Sequence, residues 1–473
     1  MADKAPVLMW FRRDLRLGDN AALAAAIETG RPVIPVFLDD EVSQALGAAS
    51  RWRLGLGVAH LGDRLAAMGS GLILRRGDAL DCLKTLMREV GAAEVFWNRL
   101  YDPASVARDG AVKSALKEVG HQGHSFAGHL CFVPWQVETG AGGFYKVFTP
   151  FWRRVKDIEV GPAQPAPAKI EPPQTWPASD AISDWNMGGR MHRGAAQVGA
   201  FVVVGEGAAH ERLDTFLKDR VARYQLDRDF PAVDATSGLS ENLTYGEISP
   251  RTCWNAARRA LYEGAAGAQH FLKELTWREF AYHLLYHTPH IQSRGWRPEW
   301  DSFPWRDDPW AADVLAWKQG RTGEPFVDAA MRELYVTGRV HNRARMIAAS
   351  YLTKHLMCDW RIGMNWYADC LIDWDPASNA LGWQWVAGSG PDASPYFRIF
   401  NPATQAKKFD AKGRYLRTWI AEGQADPPAT ARAFFQAIPK AWGLDRNDAY
   451  PDPVIDLAEG RNRALAAYRG HRA

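Results

Sequence analysis

The spacing of hydrophobic and polar residues changes part-way along the chain, and this change predicts two kinds of structure. Between residues 6 and 130, short apolar runs rich in β-branched side chains alternate with amphipathic segments. The runs predict buried parallel strands at 7–11, 33–38, 72–74 and 95–97. The segments predict crossover helices at 20–28, 48–68, 78–90 and 103–119. Strands and helices in alternation indicate a doubly wound α/β domain with a parallel sheet.

From about residue 208 the apolar positions recur with a helical period. One stripe contains Leu213, Phe216, Leu217 and Val221. Further segments with this spacing lie at 251–263, 269–287, 326–335 and 342–357. We therefore expect a second domain that is all α-helical.

The segment between these two patterns is rich in proline. Six prolines lie between residues 161 and 177, which excludes a regular helix or strand there and predicts a connector. The segment at 188–207 is typical of a further irregular piece, although its VVV run at 202–204 predicts a strand. We expect the α/β domain at 1–132, the connector at 133–207 and the helical domain at 208–473.

Composition adds one anomaly to an otherwise ordinary globular chain. The chain has 473 residues, of which 47% are hydrophobic and 23% charged, which is ample for sizeable cores. It has 21 tryptophans, about three times the number expected for its length. Aromatic excess serves packing, base stacking or electron transfer. The net charge is only +3, so contact with nucleic acid would need a local basic patch.

Cysteine spacing and the N-terminal residues bear on metal binding and location. The five cysteines form no CxxC pair and match no zinc or iron–sulfur spacing, so no metal is predicted. The first ten residues lack the apolar core of a signal peptide, and no run approaches the length of a membrane span. These features predict a soluble protein of the cytoplasm with no membrane partner.

Most candidate functional residues lie between residues 338 and 405, where arginines, aspartates, asparagines and tryptophans are concentrated. Asn342 and Met346 are four positions apart in a run that predicts helix, so they share one face, with Arg345 beside them. Burying so many polar and charged side chains is costly unless a ligand forms hydrogen bonds or ion pairs with them. The alternative is a buried helix whose polar groups are satisfied locally.

Three other stretches of the sequence contain candidate functional residues. WFRRDLRLGDN at 10–20 could be a solvated loop with internal ion pairs. RDFPAVDATSGLS at 228–240 offers hydroxyls and backbone amides that could bind phosphate at a helix start, although such runs are often plain loops. HFLKELTWREF at 270–280 places Glu274 and Trp277 on one helical face. The same arrangement is expected of an ordinary helix with the glutamate at the surface and the tryptophan at the edge of the core.

Together these strings resemble a known family. HNRARMIAAS, DWRIG, LIDWDPASN, GWQWVAGSG and YFRIFNPATQAKKFD resemble the flavin-binding region of the photolyase/cryptochrome family, most of all the microbial cyclobutane pyrimidine dimer (CPD) photolyases. WFRRDLRLGDN and YKVFTPFWRR at 145–154 resemble its N-terminal part. The resemblance implies a monomer that binds FAD and repairs CPD lesions in UV-damaged DNA, with excited reduced FAD as the electron donor.

The resemblance also implies roles for individual residues. The implied FAD contacts are Tyr224, Thr236, Ser237, Gly238, Leu239, Ser240, Arg278, Arg345, Asp373, Asp375 and Asn379. The implied catalytic pocket for the lesion contains Glu274, Trp277, Asn342, Met346 and Trp385. The implied DNA contacts are Trp277 and Trp385 with Arg228, Arg343 and Arg398. The implied electron relay to the flavin is Trp383, Trp360 and Trp305.

Members of the family carry a light-harvesting antenna in the N-terminal domain, and the resemblance favours methenyltetrahydrofolate over a deazaflavin here. Ala104 and Ser105 stand where folate-binding members have an Asn-Glu pair, and ASRWRLG at 49–55 resembles a bacterial branch related to plant cryptochromes. A second departure is Trp374, between two aspartates where the family usually has a small residue. It could pack harmlessly or alter the flavin potential.

Three other functions compete with CPD repair. A signalling cryptochrome uses the same scaffold, but plant types carry an acid and animal types a cysteine where Asn379 stands. A photolyase for (6-4) lesions uses two histidines where Asn342 and Met346 stand. A non-photochemical flavoprotein leaves the tryptophan positions unexplained. The pattern therefore favours CPD repair, with a cryptochrome as the alternative.

Overall fold

Five parallel strands form the sheet of the N-terminal half. The computed structural model describes residues 5–191, 193–392 and 397–472. The strands are β1 (Val7–Phe11), β2 (Val33–Asp39), β3 (Ile73–Arg76), β4 (Glu94–Asn98) and β5 (Gln122–Phe126), in the spatial order β3-β2-β1-β4-β5. The four predicted strands are confirmed. The fifth was not predicted, because QGHSF lies at the sheet edge and is polar and only partly buried.

Helices cover both faces of this sheet. They are α1 (Ala21–Glu28), α2 (Glu41–Gln44), α3 (Ala48–Ala67), α4 (Ala79–Val90) and α5 (Pro103–Glu118). Val7, Met9 and Phe11 of β1 pack in one core with residues of α1 and α3. Leu8 and Trp10, which alternate with them, pack in another core with residues of α4 and α5. Alternate side chains of one strand therefore enter two cores, which confirms the doubly wound fold.

The rest of the chain is helical. Its helices are α6 (Phe148–Val155), α7 (Gly194–Gly199), α8 (Glu206–Asp219), α9 (Tyr224–Asp227), α10 (Ser240–Tyr245), α11 (Pro250–Tyr262), α12 (Ala268–His287), α13 (Ala312–Lys318), α14 (Pro325–Thr337), α15 (Asn342–Ser350), α16 (Trp360–Cys370), α17 (Pro376–Ala387), α18 (Pro402–Phe409), α19 (Arg414–Trp419), α20 (Ala429–Ala437) and α21 (Leu457–Arg472). Short 3₁₀ turns lie at Pro134–Gln136, Ile182–Trp185, Gly189–Met191, Val221–Arg223, Pro289–Gln292, Pro298–Ser302 and Lys440–Trp442.

Two predictions about this half were wrong in detail. The VVV run at 202–204 is an irregular segment, because it joins α7 to α8 and no neighbouring strand is available to pair with it among the described residues. The helix predicted at 342–357 ends at Ser350 and continues as a π-helical turn, Tyr351–His355. The proline-rich segment 161–177, all of which is described, contains no helix or strand, as expected.

Buried ion pairs join the two halves. Arg53 of α3 is fully buried, and its guanidinium lies 2.6 Å from Glu247 and 3.4 Å from Glu241, two residues of the helical half. Arg13, after β1, lies 3.2 Å from Asp375 and donates to the carbonyl of Thr244. The string at 10–20 is therefore not a solvated loop, because its charged side chains are buried at this junction.

We expect one buried acid of α12 to make stability depend on pH. Burial raises the pKa of Glu279 to about 7 from 4.5, although Arg278 and the backbone N–H of Phe132 oppose the shift. Between pH 4.5 and 7 the folded chain therefore holds a proton that the unfolded chain has released. The free energy of unfolding should fall as pH rises through this interval, by about 3 kcal/mol from this group.

Urea unfolding at pH 5 and pH 7.5 measures this effect. Glu279→Gln should show a smaller loss of stability between these pH values than the unsubstituted protein. Glu263→Gln, which changes an exposed acid after α11, is the matched control and should keep the full loss. Equal losses in all three proteins would contradict the assignment to Glu279.

Candidate functional site

Three helices bring the predicted pocket residues to one region. α12 carries Glu274 and Trp277, α15 carries Asn342 and Met346, and α17 carries Trp385. α17 packs against both α12 and α15. Both tryptophans are partly exposed, so indole faces remain available to a ligand.

Trp277 is held by a parallel stack. Its ring lies face to face with Phe148 of α6, with centroids 3.8 Å apart and planes 4° apart. Phe148 is buried, and its backbone N–H lies 3.4 Å from a carboxylate oxygen of Asp392, in the segment after α17. An indole supported on one face and partly exposed can serve as a wall for a stacked base. Phe148 was not singled out from the sequence, because no spacing rule connects α6 to α12.

The first turn of α15 presents the predicted amide and thioether. Asn342 is exposed, and its side-chain amide lies 3.8 Å from the sulfur of Met346. His341 caps this helix, because its Nδ1 accepts a hydrogen bond from the backbone N–H of Arg343 at 3.2 Å. Burial lowers the pKa of His341 to about 4, so the ring is neutral and carries its proton on Nε2. The backbone of Arg228 hydrogen-bonds the ring and opposes this shift.

The predicted DNA-binding arginines border this region. Arg228 forms an ion pair with Glu274, and Arg343 lies 2.8 Å from Asp229. Arg398 is exposed, and its guanidinium lies 5.7 Å from the ring centroid of Trp385. Arg398 therefore lies beside the partly exposed Trp385, whereas Arg228 and Arg343 already have acidic partners.

The predicted cofactor residues do not form one contact group. Arg345 lies 3.3 Å from both carboxylate oxygens of Asp373, as predicted. Asp375 was expected beside them, but Tyr282 donates to its carboxylate at 2.6 Å and Arg13 lies at 3.2 Å. Burial acts to raise the pKa of Asp375, yet Arg13 and Arg278 outweigh it and hold the pKa below its ordinary value.

Arg278 and Asn379 also have partners within the chain. Arg278 donates to the backbone carbonyl of His129 at 2.9 Å, so it lies at the junction of the two halves. Asn379 is buried in α17, and its amide nitrogen donates to the carbonyl of Met364 at 3.1 Å. Its side-chain oxygen remains available to another donor.

The predicted phosphate-binding turn lies before α10. Gly238 has a φ of +65°, and the space in front of it is open, since a Cβ placed there would contact nothing within 4 Å. Thr236, Ser237 and Ser240 are not fully buried, whereas Leu239 and Tyr224 are. Ser237 accepts a hydrogen bond from the backbone N–H of Leu239 at 3.4 Å. The turn is accessible to a ligand from the open side.

The predicted electron relay lies in and beside one core. Trp383 and Trp360 are buried there, and Trp305 packs at its edge. Trp383 lies against α16, where a Cβ at Gly363 would come within 2.0 Å of its ring. The backbone N–H of Asp359 donates to the carbonyl of Arg306 at 2.9 Å, which holds the segments of Trp360 and Trp305 side by side. Tyr367 and Trp317, not predicted, also pack on Trp383.

A cavity lies at the carboxyl ends of β1 and β4, where the order of the strands reverses. Its volume is about 550 Å³. Its lining includes Arg12, Asp40, Ala104, Ser105, Trp374 and Pro376. The reversal point is the usual ligand site of a doubly wound sheet. Trp374 therefore borders this cavity, and its buried Nε1 has no partner among the described residues.

Comparison with known proteins identifies the family. The profile described as DNA photolyase matches residues 7–172, and the profile described as the FAD binding domain of DNA photolyase matches residues 271–470. A deoxyribodipyrimidine photo-lyase of Agrobacterium fabrum is 44% identical over 98% of both chains. The crystal structure of a bacterial class III photolyase from Agrobacterium tumefaciens superposes with a TM-score of 0.91 at 42% identity, covering 100% of this chain and 98% of that one.

The chain belongs to the photolyase/cryptochrome family. Cryptochrome-2 of Arabidopsis thaliana is also similar, at 33% identity over 96% of this chain and 77% of that one. No helix in the described ranges is long and apolar enough to cross a membrane.

The polar atoms of this site fit the FAD that a photolyase FAD-binding domain holds. Arg345 Nε is a buried donor that lacks a partner in the described part of the chain. Buried donors normally have partners, so this one, beside Asp373, fits a bound group with acceptor atoms. Arg345 with Asp373, Asn379 and the turn at Gly238 remain the predicted contacts.

We expect the Phe148–Trp277 stack to contribute to stability as a pair. Each single change to alanine should lower the free energy of unfolding by about 3 kcal/mol, because each removes a large side chain that is buried or stacked. The double variant should be less destabilised than the sum of the single variants, with a coupling of about 1 kcal/mol, because the two rings contact each other directly.

A double-mutant cycle monitored by urea unfolding measures the coupling. Trp277→Ala combined with Phe434→Ala is the matched control, because Phe434 lies in a different core. That pair should be additive. Additivity in the Phe148 and Trp277 pair as well would show that the stack does not hold the indole.

Proposed function

We propose that this protein repairs cyclobutane pyrimidine dimers in UV-damaged DNA in a light-dependent reaction. The observation that supports this most is the supported, partly exposed indole of Trp277 on α12, together with the amide and thioether of Asn342 and Met346 on α15, since both helices pack against α17. The relative that is 44% identical is named a deoxyribodipyrimidine photo-lyase. Asn342 and Met346 are not acids, whereas the competing (6-4) chemistry requires a pair of histidines.

Binding would begin with extrusion of the damaged bases. A dimer pairs and stacks poorly, so flipping it out of the duplex is less costly than flipping normal bases. Trp277 and Trp385 would stack on the extruded bases, and Asn342 and Met346 would form the floor of the pocket. Arg398 would bind a flanking phosphate, and Arg228 and Arg343 would exchange their acidic partners for phosphates, which makes affinity sensitive to salt.

Electron transfer would follow binding. Bound FAD would supply the light-driven electron that weakens the two extra carbon–carbon bonds of the dimer. Arg345 and Asp373 would hold the cofactor, and Asn379 would present its amide to the flavin ring. Glu274 would hydrogen-bond the damaged base and stabilise the charge that develops on it.

We expect fully reduced protein to restore CPD-containing DNA under blue light, to be inactive in darkness and to leave (6-4) lesions unchanged. Trp277→Ala should weaken binding to damaged DNA about ten- to a hundredfold, because stacking contributes roughly 1–3 kcal/mol per base. Glu274→Ala should bind nearly normally and repair more slowly, because the hydrogen bond of this side chain to the damaged base acts after electron injection. Repair assays run beside band-shift titrations separate the two effects.

Trp254→Phe is the matched control for this experiment, since it changes a buried tryptophan of α11 whose ring contacts Phe132 and Trp152. It should bind and repair normally. Binding without any light-dependent repair by the fully reduced protein would overturn the proposal and favour a signalling cryptochrome.

We propose that Trp305, Trp360 and Trp383 carry electrons inward from the surface to restore the reduced cofactor. Indole is among the most easily oxidised side chains, and burial of Trp360 and Trp383 limits quenching by water. Trp383→Phe should slow blue-light photoreduction in the presence of a thiol at least tenfold, measured by the loss of oxidised flavin absorbance. Trp254→Phe should photoreduce normally, and equal rates in Trp383→Phe and the unsubstituted protein would show that the first step is misassigned.

We also propose a second, light-harvesting chromophore, methenyltetrahydrofolate rather than a deazaflavin. The cavity of about 550 Å³ at the end of the sheet supports this, since its volume suits one fused-ring ligand. Arg12 and Arg108 border it, and the indole N–H of Trp374 has no partner in the described ranges. Chromophore extraction and mass spectrometry would test the assignment, and recovery of a flavin or deazaflavin there would contradict it.

The finer organisation is likewise a proposal. We place the α/β domain at 1–132, the connector at 133–207 and the helical domain at 208–473. All five cysteines are free, which is typical of a reducing compartment, so we infer a cytoplasmic monomer. Limited proteolysis, cell fractionation and sedimentation would test these three statements. Cleavage inside α3 or α12 before cleavage in the connector would contradict the boundaries.

A further inference from the structure

One lysine of the helical half is buried without an acidic partner. Lys354 has no exposed surface, and it forms no ion pair with a carboxylate in the described part of the chain. It lies on the π-helical turn Tyr351–His355, which follows α15. Turns of this kind are rare and often occur at functional sites. Because burying a charge without an acidic partner is costly, we expect this side chain to have a role.

Two kinds of contact favour the ammonium form of Lys354. Its Nζ donates to the carbonyl of Ala387 at 2.6 Å. Ala387 is the last residue of α17, and the carbonyls at the end of a helix carry a partial negative charge. Nζ also lies 3.3 Å from the ring centroid of Phe397, and the face of an aromatic ring attracts a cation. Burial lowers the pKa of Lys354, and these contacts act in the opposite direction.

The same nitrogen lies beside the outer end of the electron relay. It is 5.8 Å from the ring centroid of Trp305 and 5.9 Å from that of Trp300. Trp305 is partly exposed, and its ring is stacked on Trp300 with centroids 6.4 Å apart. Loss of an electron from Trp305 would therefore create a positive charge close to Lys354.

The next position of the relay has a different electrostatic environment. The guanidinium of Arg361 lies 4.9 Å from the ring centroid of Trp360, but Asp359 neutralises this guanidinium at 2.6 Å. Lys354 has no such partner, so its charge acts more strongly on Trp305 than the charge of Arg361 acts on Trp360. Oxidation of Trp305 is therefore made less favourable relative to oxidation of Trp360.

We propose that Lys354, as an ammonium ion, raises the oxidation potential of Trp305 and so makes the oxidised form of this tryptophan a stronger acceptor of electrons from a reductant at the surface. The inference rests on the relay proposed above. One electron passes from Trp305 to the oxidised Trp360, which leaves a positive charge on Trp305. A thiol then supplies the replacing electron and becomes a thiyl radical, and its proton passes to solvent. The ammonium opposes the first step and favours the second.

Laser-flash absorption of the FAD-containing protein tests this inference, because oxidised tryptophan has a visible absorbance of its own. Lys354→Gln removes the charge and retains a hydrogen-bond donor. Without a thiol, the oxidised tryptophan should persist about tenfold longer, because transfer of an electron back from Trp360 to Trp305 becomes less favourable. With a thiol, the second-order rate constant of its reduction should fall about three- to tenfold, because it is a weaker oxidant.

Three further variants separate the charge of Lys354 from its structural contact with α17. Lys354→Arg retains a positive charge and should keep both decay rates close to those of the unsubstituted protein. Lys354→Met removes the charge and the donor together and should decay as Lys354→Gln does. Lys318→Gln is the matched control, because Lys318 donates to the carbonyl of Pro309 and lies over Trp310 and Trp366, which are outside the relay. It should leave both rates unchanged.

The amplitude of the signal distinguishes a change of potential from damage to the relay. In Lys354→Gln the amplitude should be at least that of the unsubstituted protein, and a lower amplitude would overturn the inference. Unchanged decay rates in Lys354→Gln, or equal rates in Lys354→Arg and Lys354→Met, would also overturn it. Trp305→Phe should abolish the slowly decaying signal. If that signal persists in Trp305→Phe, the relay itself is wrong and both proposals are overturned, whereas the preceding outcomes leave the relay intact.

Discussion

The position of every functional group described above depends on buried charge pairs that join the two halves of the chain. Arg53 has no exposed surface, and both acids that neutralise it, Glu241 and Glu247, come from the helical half. A buried charge that loses its partner costs several kcal/mol, so neither half can bury these groups favourably without the other. Arg339 and Arg212 also pair with Glu241. Burial acts to raise the pKa of Glu241, but Arg339 and Arg53 outweigh it and lower the pKa. The junction is therefore a network of ion pairs. Its arginines and glutamates fix the position of the helical half relative to the sheet.

This fixed position explains why three consecutive residues of α12 contact three different parts of the molecule. Trp277 faces α6 and the candidate lesion pocket, Arg278 donates to His129 at the junction, and Glu279 accepts a hydrogen bond from Phe132 in the segment after β5. Successive residues of a helix point about 100° apart, so one turn can contact a ligand pocket, the opposite half and the segment after β5 together. A shift of α12 by one residue would break all three contacts. The pocket geometry is therefore set by the same contacts that hold the halves together.

Elements that are stabilised by their own residues could be predicted from the sequence. Elements and contacts that depend on residues far away along the chain could not. Four strands and the long helices follow from periodicity, since each buries an apolar face of its own. β5 has no apolar face and exists because β4 pairs with it. Asp373 and Arg345 were predicted together and lie together, but the motif could not show that Asp375 pairs with Arg13, which is 362 positions away. Phe148 was missed for the same reason. His341 could have been found, because it precedes a helix at the position where caps occur.

The segment Asp373–Asp375 shows how the two chromophore regions are connected. Asp373 pairs with Arg345 on the cofactor side, and Asp375 pairs with Arg13 on the sheet side and caps α17. Trp374, between them, lines the large cavity at the end of the sheet. A small residue at this position would remove that part of the cavity wall and would leave the ion pairs in place. The tryptophan therefore changes the shape of the cavity more directly than it changes the flavin pocket. Because its backbone is fixed on both sides by buried carboxylates, its ring has little freedom to withdraw, and any ligand of the cavity must fit against it.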